Sequence, residues 1–161
     1  MNLDVQGNAR SAADSGDEDF LQACLKEGMR VHPIIDQVAR VATRDLTIAG
    51  WQIPAGTTVS PSIRLAHSSA DNFADAGRFW PRRLLDDHIA PNTWLPFGGG
   101  VRRCIGAGFS LMEGTAVLRE VLSRFEVAVG GPQRTRMRNI TAVPAGKAPP
   151  RPRSTAARRA S

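Results

Sequence analysis

Two segments of the chain repeat their apolar residues at helical spacing, and the sequence between them is interrupted by proline, glycine, asparagine and aspartate. In segment 20–31 the apolar residues recur at steps of three and four until His32-Pro33 ends the pattern, and in segment 109–125 they form one stripe. These patterns predict two amphipathic helices. No apolar run approaches the roughly 20 residues that a membrane-spanning helix needs, and nothing is repetitive enough for a collagen-like chain or a coiled coil.

The sequence between these helices predicts short strands and a long loop. Four strand-like triplets, at 40–42, 46–48, 51–53 and 57–59, are typical of a small antiparallel sheet, and 62–70 can form a short helix. Segment 71–96 has no sustained period, and a loop of that length is usually functional. Two more strands are predicted at 126–129 and 138–144. The predicted fold class is mainly α with a small antiparallel β-sheet, an α+β arrangement.

Composition divides the chain into three parts. Residues 1–17 are small and polar and predict a disordered leader, whereas 145–161 is rich in proline and arginine and predicts a disordered basic tail. The ordered region is expected over 18–144. The amino-terminal residues lack the basic and then apolar order of a signal peptide, so we expect a cytoplasmic, soluble chain.

The positive charge lies mainly at the carboxyl end. The formal net charge is +6, but the residues after Gly130 contain eight bases and no acid, which leaves thirteen bases against fifteen acids elsewhere. Isolated arginines without interleaved aromatic residues seldom make a specific nucleic-acid site. We therefore expect no nucleic-acid partner, although a salt-sensitive binding role for the tail is kept as an alternative.

Cys104 has the most informative surroundings of any residue in the chain. The two cysteines, Cys24 and Cys104, form no Cys-x-x-Cys pair, and the three histidines show no zinc-ligand spacing. Cys24 lies on the apolar face of the first helix and is expected to be structural. Cys104 follows a glycine-rich loop with Arg102 and Arg103 and stands just before the second helix. Helix N–H groups and guanidinium charges favour a thiolate, which is the form that binds iron in a porphyrin.

The ten residues around Cys104 resemble a known family motif. Segment 97–106, Phe-Gly-Gly-Gly-Val-Arg-Arg-Cys-Ile-Gly, matches every fixed position of the haem-ligand loop Phe-x-x-Gly-x-Arg-x-Cys-x-Gly of the cytochrome P450 monooxygenases. Three further pieces follow the order of that family: Glu27-x-x-Arg30, the strand region that contains Arg40, and segment 79–84. The resemblance covers about 20–144 and implies that 18–144 is the carboxyl-terminal, haem-binding portion of the cytochrome P450 fold, truncated.

The resemblance assigns a role to each matched position. Cys104 would be the axial ligand of the haem iron, whose electron donation assists O–O cleavage. Arg102 and Arg40 would hold the haem propionates, and Phe97 would pack near the sulfur. Two glycines would let the backbone approach the porphyrin: Gly100 and Gly106.

A second group of matched residues is expected to be structural. Glu27 and Arg30, joined by Arg83, would form a buried ion-pair network beneath the haem. Taken alone, the spacing of Glu27 and Arg30 predicts only an exposed pair. The chain departs from the family at two positions, because Arg82 replaces the usual acid of this loop and Leu84 replaces the usual aromatic residue.

The implied function is that of a haem-thiolate monooxygenase. The resemblance implies haem b, iron, O₂, a small hydrophobic organic substrate and an electron donor of the ferredoxin or flavodoxin type. Several segments look similar to soluble actinobacterial members, which favours a cytoplasmic location, although a membrane-anchored fungal parent is the alternative. The long central helix with its acid–alcohol pair is missing, so Cys104 is the only catalytic candidate. A catalytically inactive fragment that binds haem weakly at most is therefore the competing interpretation.

Overall fold

Helices provide most of the regular structure. The computed structural model describes residues 3–85, 89–127, 134–146 and 153–154. The helices in these ranges are α1 (Leu3–Ser15), α2 (Glu18–Val31), α3 (Ile63–Ser68) and α4 (Ala107–Arg124). Asp17 begins α2 because its carboxylate accepts a hydrogen bond from the Phe20 N–H at 3.0 Å, and Pro33 follows its end. The two predicted amphipathic helices are α2 and α4.

The strands form separate two-stranded antiparallel ladders. Their bounds are β1 (Arg40–Val41), β2 (Leu46–Ile48), β3 (Trp51–Ile53), β4 (Thr58–Val59), β5 (Phe125–Glu126), β6 (Thr135–Arg138), β7 (Thr141–Pro144) and β8 (Arg153–Ser154). The pairs are β1 with β4, β2 with β3, β5 with β8 and β6 with β7. Ala49 and Gly50 both have positive φ, at 49° and 85°, as a two-residue hairpin turn between β2 and β3 requires. The predicted fold class, mainly α with small antiparallel β-structure, is confirmed.

The larger apolar core lies between α1, α2 and α4. It combines three small side chains of α1 with larger ones of α2 and α4, namely Ala9, Ala12, Ala13, Phe20, Leu21, Cys24 and Leu122. At Gly114 the two longer helices approach so closely that an added Cβ would lie 2.6 Å from Leu25 Cδ2. Glycine at this position therefore leaves room for the Leu25 side chain between the two helices.

Helix α1 corrects the expectation of a disordered leader over 1–17. Alanine has the highest intrinsic helix propensity, and Ala9, Ala12 and Ala13 are buried although their small side chains give little apolar periodicity. Two side chains of α1 also bind carbonyls beyond α4: Gln6 Nε2 donates to Val127 O and Arg10 Nη2 to Phe125 O, each at 2.6 Å. These contacts are set by tertiary structure, which a search for apolar stripes does not detect.

The remaining predictions at the carboxyl end are only partly covered by the described residues. The strand predicted at 126–129 begins one residue earlier, as β5, and 128–130 lie outside the described residues. The strand predicted at 138–144 is divided between β6 and β7. Of the predicted tail 145–161, only 145–146 and β8 are described. Across the described ranges, none of the helices has both the length and the apolar content to span a membrane.

Candidate functional site

Glu27 lies at the centre of a buried ion-pair cluster on α2. Its side chain is 0% exposed and that of Arg30 is 1% exposed. Arg30 donates from Nε to Glu27 Oε2 at 2.8 Å and from Nη2 to Glu27 Oε1 at 2.9 Å. Arg83 Nε donates to Glu27 Oε1 at 3.2 Å. The structure thus brings together the three residues that the resemblance groups, which we call the ion-pair cluster: Glu27, Arg30 and Arg83.

Backbone groups of the long loop satisfy the rest of the ion-pair cluster. Arg30 Nη1 donates to the His67 carbonyl at 2.7 Å and Nη2 to the Arg78 carbonyl at 3.2 Å. The Trp80 N–H donates to Glu27 Oε1 at 2.9 Å. Because these partners are more than 35 positions from α2 in sequence, the charges fix the course of the loop over 67–83 against the helix.

The two departures from the family pattern are accommodated without entering the ion-pair cluster. Arg82 is exposed, and its guanidinium carbon lies 5.7 Å from the centroid of the Phe20 ring. This is a cation–π geometry. Leu84 is 5% exposed and ends the short 3₁₀ turn Pro81–Leu84. An arginine and a leucine at these positions are therefore compatible with the loop around Glu27.

The glycine-rich loop is held at its start and closed on itself. Trp94 Nε1 donates to the Lys26 carbonyl at 3.2 Å, and the Leu95 N–H donates to His67 Nε2 at 2.8 Å. The Cys104 N–H donates to the Phe97 carbonyl at 2.9 Å. Gly100 has φ +65°, in the region that residues with a Cβ rarely adopt. The path of this loop thus needs glycine at a position where the motif has it.

The Cys104 side chain is exposed, close to the amino end of α4. The Ala107 N–H, where α4 begins, donates to the Cys104 carbonyl at 3.3 Å. A Cβ added at Gly106 would lie 3.8 Å from Cys104 Sγ, so glycine keeps this side of the sulfur open. Val101 and Ile105, on either side in sequence, are fully exposed. The sulfur is therefore accessible and lies among uncovered apolar side chains.

Cys24 has the opposite environment. It is buried in the core between α1, α2 and α4. Burial, together with the negative charge of Asp17, raises the pKa of the Cys24 thiol to about 11. Cys24 is therefore a protonated core residue near neutral pH, in keeping with its predicted structural role. Of the two cysteines, only Cys104 can reach a ligand.

The arginines expected to bind propionates are exposed. Arg40 lies in β1, and its Nη1 donates to the adjacent Ala39 carbonyl at 2.8 Å. Arg102 ends the short 3₁₀ turn Gly100–Arg102. In the part of the chain described, no ion pair with an acid is found for Arg40 or Arg102, which leaves their charge for another anion.

A haem fits the residues present. The loop offers a soft sulfur ligand that solvent can reach, exposed apolar side chains that a porphyrin plane would cover, and guanidinium groups suited to carboxylates. By contrast, the described residues contain no group of three or more histidine, cysteine, aspartate or glutamate side chains placed to hold a metal ion directly. The cysteine, the exposed apolar side chains and the guanidinium groups are together compatible with a haem.

Comparison with known families decides the assignment. The family model for cytochrome P450 matches residues 5–151. The chain belongs to the cytochrome P450 family. Members of this family carry a haem iron and generally work with O₂, organic substrates and redox partners. The predicted family is confirmed, and the matched region extends into the predicted leader and beyond residue 144.

Similar cytochromes P450 come from mycobacteria. The chain is 49% identical over 144 residues to cytochrome P450 135A1 of Mycobacterium tuberculosis, covering 88% of this chain and 32% of that protein. It is 40% identical to cytochrome P450 135B1 of Mycobacterium bovis, with 85% and 29% covered. The chain thus spans about a third of the length of the curated relatives it matches.

Solved cytochromes P450 share the fold of the corresponding part. A CYP102L1 crystal structure superposes with a TM-score of 0.78 at 25% identity, covering 90% of this chain and 37% of that one. The retinoic acid bound cyanobacterial CYP120A1 superposes with a TM-score of 0.71 at 26% identity, covering 76% and 32%. The four helices and small ladders of the described residues therefore correspond to a portion of a cytochrome P450.

Two residues that contact the site are missed by sequence reasoning. These residues are His67 and Trp94, neither of which belongs to a recognisable motif. The side chain of each makes one polar contact, His67 to the Leu95 N–H and Trp94 to the Lys26 carbonyl, and both contacts depend on where the long loop runs. No spacing rule marks such contacts.

Proposed function

We propose that this chain forms the haem-binding face of a cytochrome P450 monooxygenase, with Cys104 as the axial ligand of the iron. The observation that carries this proposal is the accessible Cys104 sulfur at the amino end of α4. A cysteine sulfur is the axial ligand that a haem-thiolate iron takes, and Arg102 and Arg103 precede Cys104 directly in sequence. The start of the loop that carries the sulfur is held by two part-buried hydrogen bonds, to the Lys26 carbonyl and to the His67 ring.

The surrounding residues would orient the porphyrin. Arg102 and Arg40 would each bind a propionate, for which a planar guanidinium is suited. Phe97 is half-buried with its ring 6.0 Å from that of Trp94, and it would shield the sulfur from water. Two glycines would let the backbone approach the porphyrin plane: Gly100 and Gly106.

The ion-pair cluster would fix the position of α2, to which the start of the glycine-rich loop is bound. Glu27, Arg30 and Arg83 link α2 to the long loop, and α2 also accepts the Trp94 indole N–H through the Lys26 carbonyl. A shift of α2 would therefore move the start of the glycine-rich loop. The predicted structural role of the ion-pair cluster follows from these connections.

The monooxygenase reaction is proposed for a complete cytochrome P450 that contains this region. When bound, a haem with a thiolate ligand supplies the activation of O₂ and the insertion of one of its oxygen atoms into an organic substrate, using two electrons. We propose haem b, a small hydrophobic substrate, a ferredoxin or flavodoxin-type donor and a cytoplasmic location, on the similarity to bacterial relatives. In this chain, Cys104 is the one residue to which we assign a catalytic role.

The test is the carbon monoxide difference spectrum of the dithionite-reduced chain after reconstitution with haem. A strongly red-shifted Soret band is expected for the unaltered chain and should disappear in Cys104→Ala. Cys24→Ala is the matched control, because it removes the buried cysteine and should keep the band. A band of equal intensity and position in Cys104→Ala would refute the assignment of the ligand.

A second candidate function is a haem-binding fragment without turnover. It is favoured by the exposed apolar residues of α4: Phe109, Met112 and Val117. An apolar helix side of this kind is normally covered by other protein. The 161-residue chain would then bind haem and form no product. NADH-driven product formation with a ferredoxin reductase system would exclude this candidate.

A further inference from the structure

His67 connects the ion-pair cluster to the start of the glycine-rich loop. It lies in the last turn of α3 and is 1% exposed. Its carbonyl accepts a hydrogen bond from Arg30 Nη1 at 2.7 Å, while its ring Nε2 accepts one from the Leu95 N–H at 2.8 Å. A single residue thus contacts the buried charges on one side and the backbone two residues before Phe97 on the other.

The direction of the Leu95 hydrogen bond determines the protonation of the ring. A backbone N–H can only donate, so Nε2 must offer a lone pair and the ring proton must lie on Nδ1. Nδ1 is buried and has no hydrogen-bond partner among the described residues. A doubly protonated ring would carry a proton on Nε2 as well, and it could not accept from Leu95. The contact therefore exists only in the neutral form with the proton on Nδ1.

The environment favours this neutral form. Burial is the main cause that lowers the pKa of His67 to about 4, and the positive charge of Arg30 acts in the same direction. The backbone of Arg30 beside the ring and the negative charge of Glu27 oppose this shift of the pKa. The Phe73 ring packs edge-on against the imidazole, with centroids 6.1 Å apart, and offers no charge. Near neutral pH the ring is thus an uncharged acceptor.

We propose that His67 is a positioning residue of the haem-thiolate site, which sets the start of the loop carrying Cys104 by accepting the Leu95 N–H. This inference rests on the proposed function for its consequence at the haem. The loop contact itself is a property of the chain alone. Without the acceptor, the half-buried Leu95 N–H loses its partner, and the loop from Leu95 to Cys104 is free to shift.

Two substitutions separate this role from that of a core residue that only fills space. His67→Leu keeps an apolar side chain of similar size and removes the acceptor. His67→Gln places an amide oxygen at about the reach of Nε2 and can accept the same N–H. His32→Leu is the matched control, because His32 is exposed at the end of α2. If His67 only fills space, the Leu95 amide should lose more protection in His67→Gln than in His67→Leu. If His67 positions the loop, His67→Gln should retain the protection that His67→Leu loses.

The first measurement is hydrogen exchange of the Leu95 amide in the haem-free chain. Loss of this part-buried hydrogen bond should accelerate exchange on the order of tenfold in His67→Leu, with recovery in His67→Gln and no change in His32→Leu. Unchanged exchange in His67→Leu would overturn the proposal. If His67→Leu fails to fold, the ¹⁵N spectrum of the unaltered ring decides: a proton on Nδ1 supports the proposal, and a proton on Nε2 overturns it.

The second measurement is the carbon monoxide difference spectrum of the same variants with haem. His67→Leu should lose a large part of the strongly red-shifted band, and His67→Gln should restore it. A band that is equal in all four chains would overturn the positioning role. If the unaltered chain lacks the band and matches Cys104→Ala, the proposed function fails, and Leu95 exchange still decides whether His67 holds the loop.

Discussion

Glu27 and Arg30 lie one turn apart on α2 and meet through two hydrogen bonds of 2.8 and 2.9 Å, with both side chains removed from water. An exposed pair at this spacing contributes a few tenths of a kcal/mol. A buried pair differs because removal of one partner leaves the other charge without compensation. Loss of one partner therefore costs more stability for this pair than for an exposed pair at the same spacing. The difference arises because the long loop covers Glu27 and Arg30.

The first prediction concerns Glu27→Gln. The substitution keeps the shape of the side chain but leaves Arg30 and Arg83 without their common anion. We expect a loss of about 3–5 kcal/mol in the free energy of unfolding, because breaking a buried pair costs this much. Urea unfolding measures it. The control is Glu120→Gln, whose partner Arg124 is exposed, and it should change stability by less than about 0.5 kcal/mol. Equal losses in the two variants would contradict the burial of Glu27.

The second prediction concerns acid. A histidine in the unfolded chain has a pKa near 6.5, and burial lowers that of His67 to about 4 in the fold. Between these two pH values the unfolded state therefore binds more protons than the folded state. The contribution of His67 to the free energy of unfolding is complete above about pH 6.5 and is lost as the pH falls towards 4. The expected loss is about 3 kcal/mol. Urea unfolding across this range measures it, with His67→Gln as the control whose stability should fall less. An identical pH dependence in the two chains would contradict the prediction.

The helices and the ligand loop could be predicted because their signals are local. Apolar spacing marks α2 and α4, and ten consecutive residues carry the Cys104 motif. Helix α1 could not be predicted in this way, because buried alanines do not stand out from exposed ones in a sequence. Their burial is decided by α2 and α4, which pack against them.

The ion-pair cluster could be anticipated only through the family resemblance. The spacing of Glu27 and Arg30 predicts an exposed pair, and nothing local shows that Trp80 and Arg83 will close over them. The contact of His67 with Leu95 is even more difficult to predict from the sequence, because the two residues lie 28 positions apart and the loop between them has no periodic pattern. Long-range contacts made by irregular backbone are beyond pattern rules.

The third prediction concerns thiol reactivity. In the folded chain, an aromatic disulfide reagent should modify Cys104 rapidly, because its side chain is exposed, and Cys24 only after unfolding, because it is buried with a pKa raised to about 11. Absorbance of the released thiol counts one fast equivalent and a second in denaturant. Cys104→Ser should remove the fast phase and Cys24→Ser the slow one. Two fast equivalents in the folded chain would contradict the burial of Cys24.

The fourth prediction concerns the contact between α2 and α4 at Gly114. An added Cβ would lie 2.6 Å from Leu25 Cδ2, so Gly114→Leu should lower the free energy of unfolding by about 1–3 kcal/mol through overpacking. Gly108→Leu is the control on the same helix, since an added Cβ there has nothing within 4 Å. Thermal unfolding compares the two.

A double substitution makes the prediction for Gly114 specific. Leu25→Ala removes the atoms that the new side chain would strike, so the pair Leu25→Ala with Gly114→Leu should be more stable than the sum of the single changes indicates. Simple additivity would show that the two helices do not meet at this point.

The buried ion-pair cluster also has a consequence for synthesis of the chain. Trp80 and Arg83 lie 53 and 56 positions after Glu27. At about 5–20 residues per second, a ribosome reaches them roughly 3–11 s after it adds Glu27. During this interval Glu27 has only Arg30, its neighbour on the nascent helix, as a cationic partner from the cluster. The Glu27–Arg30 pair is therefore exposed to water first. It can become buried only after the loop that contains Trp80 and Arg83 has been translated.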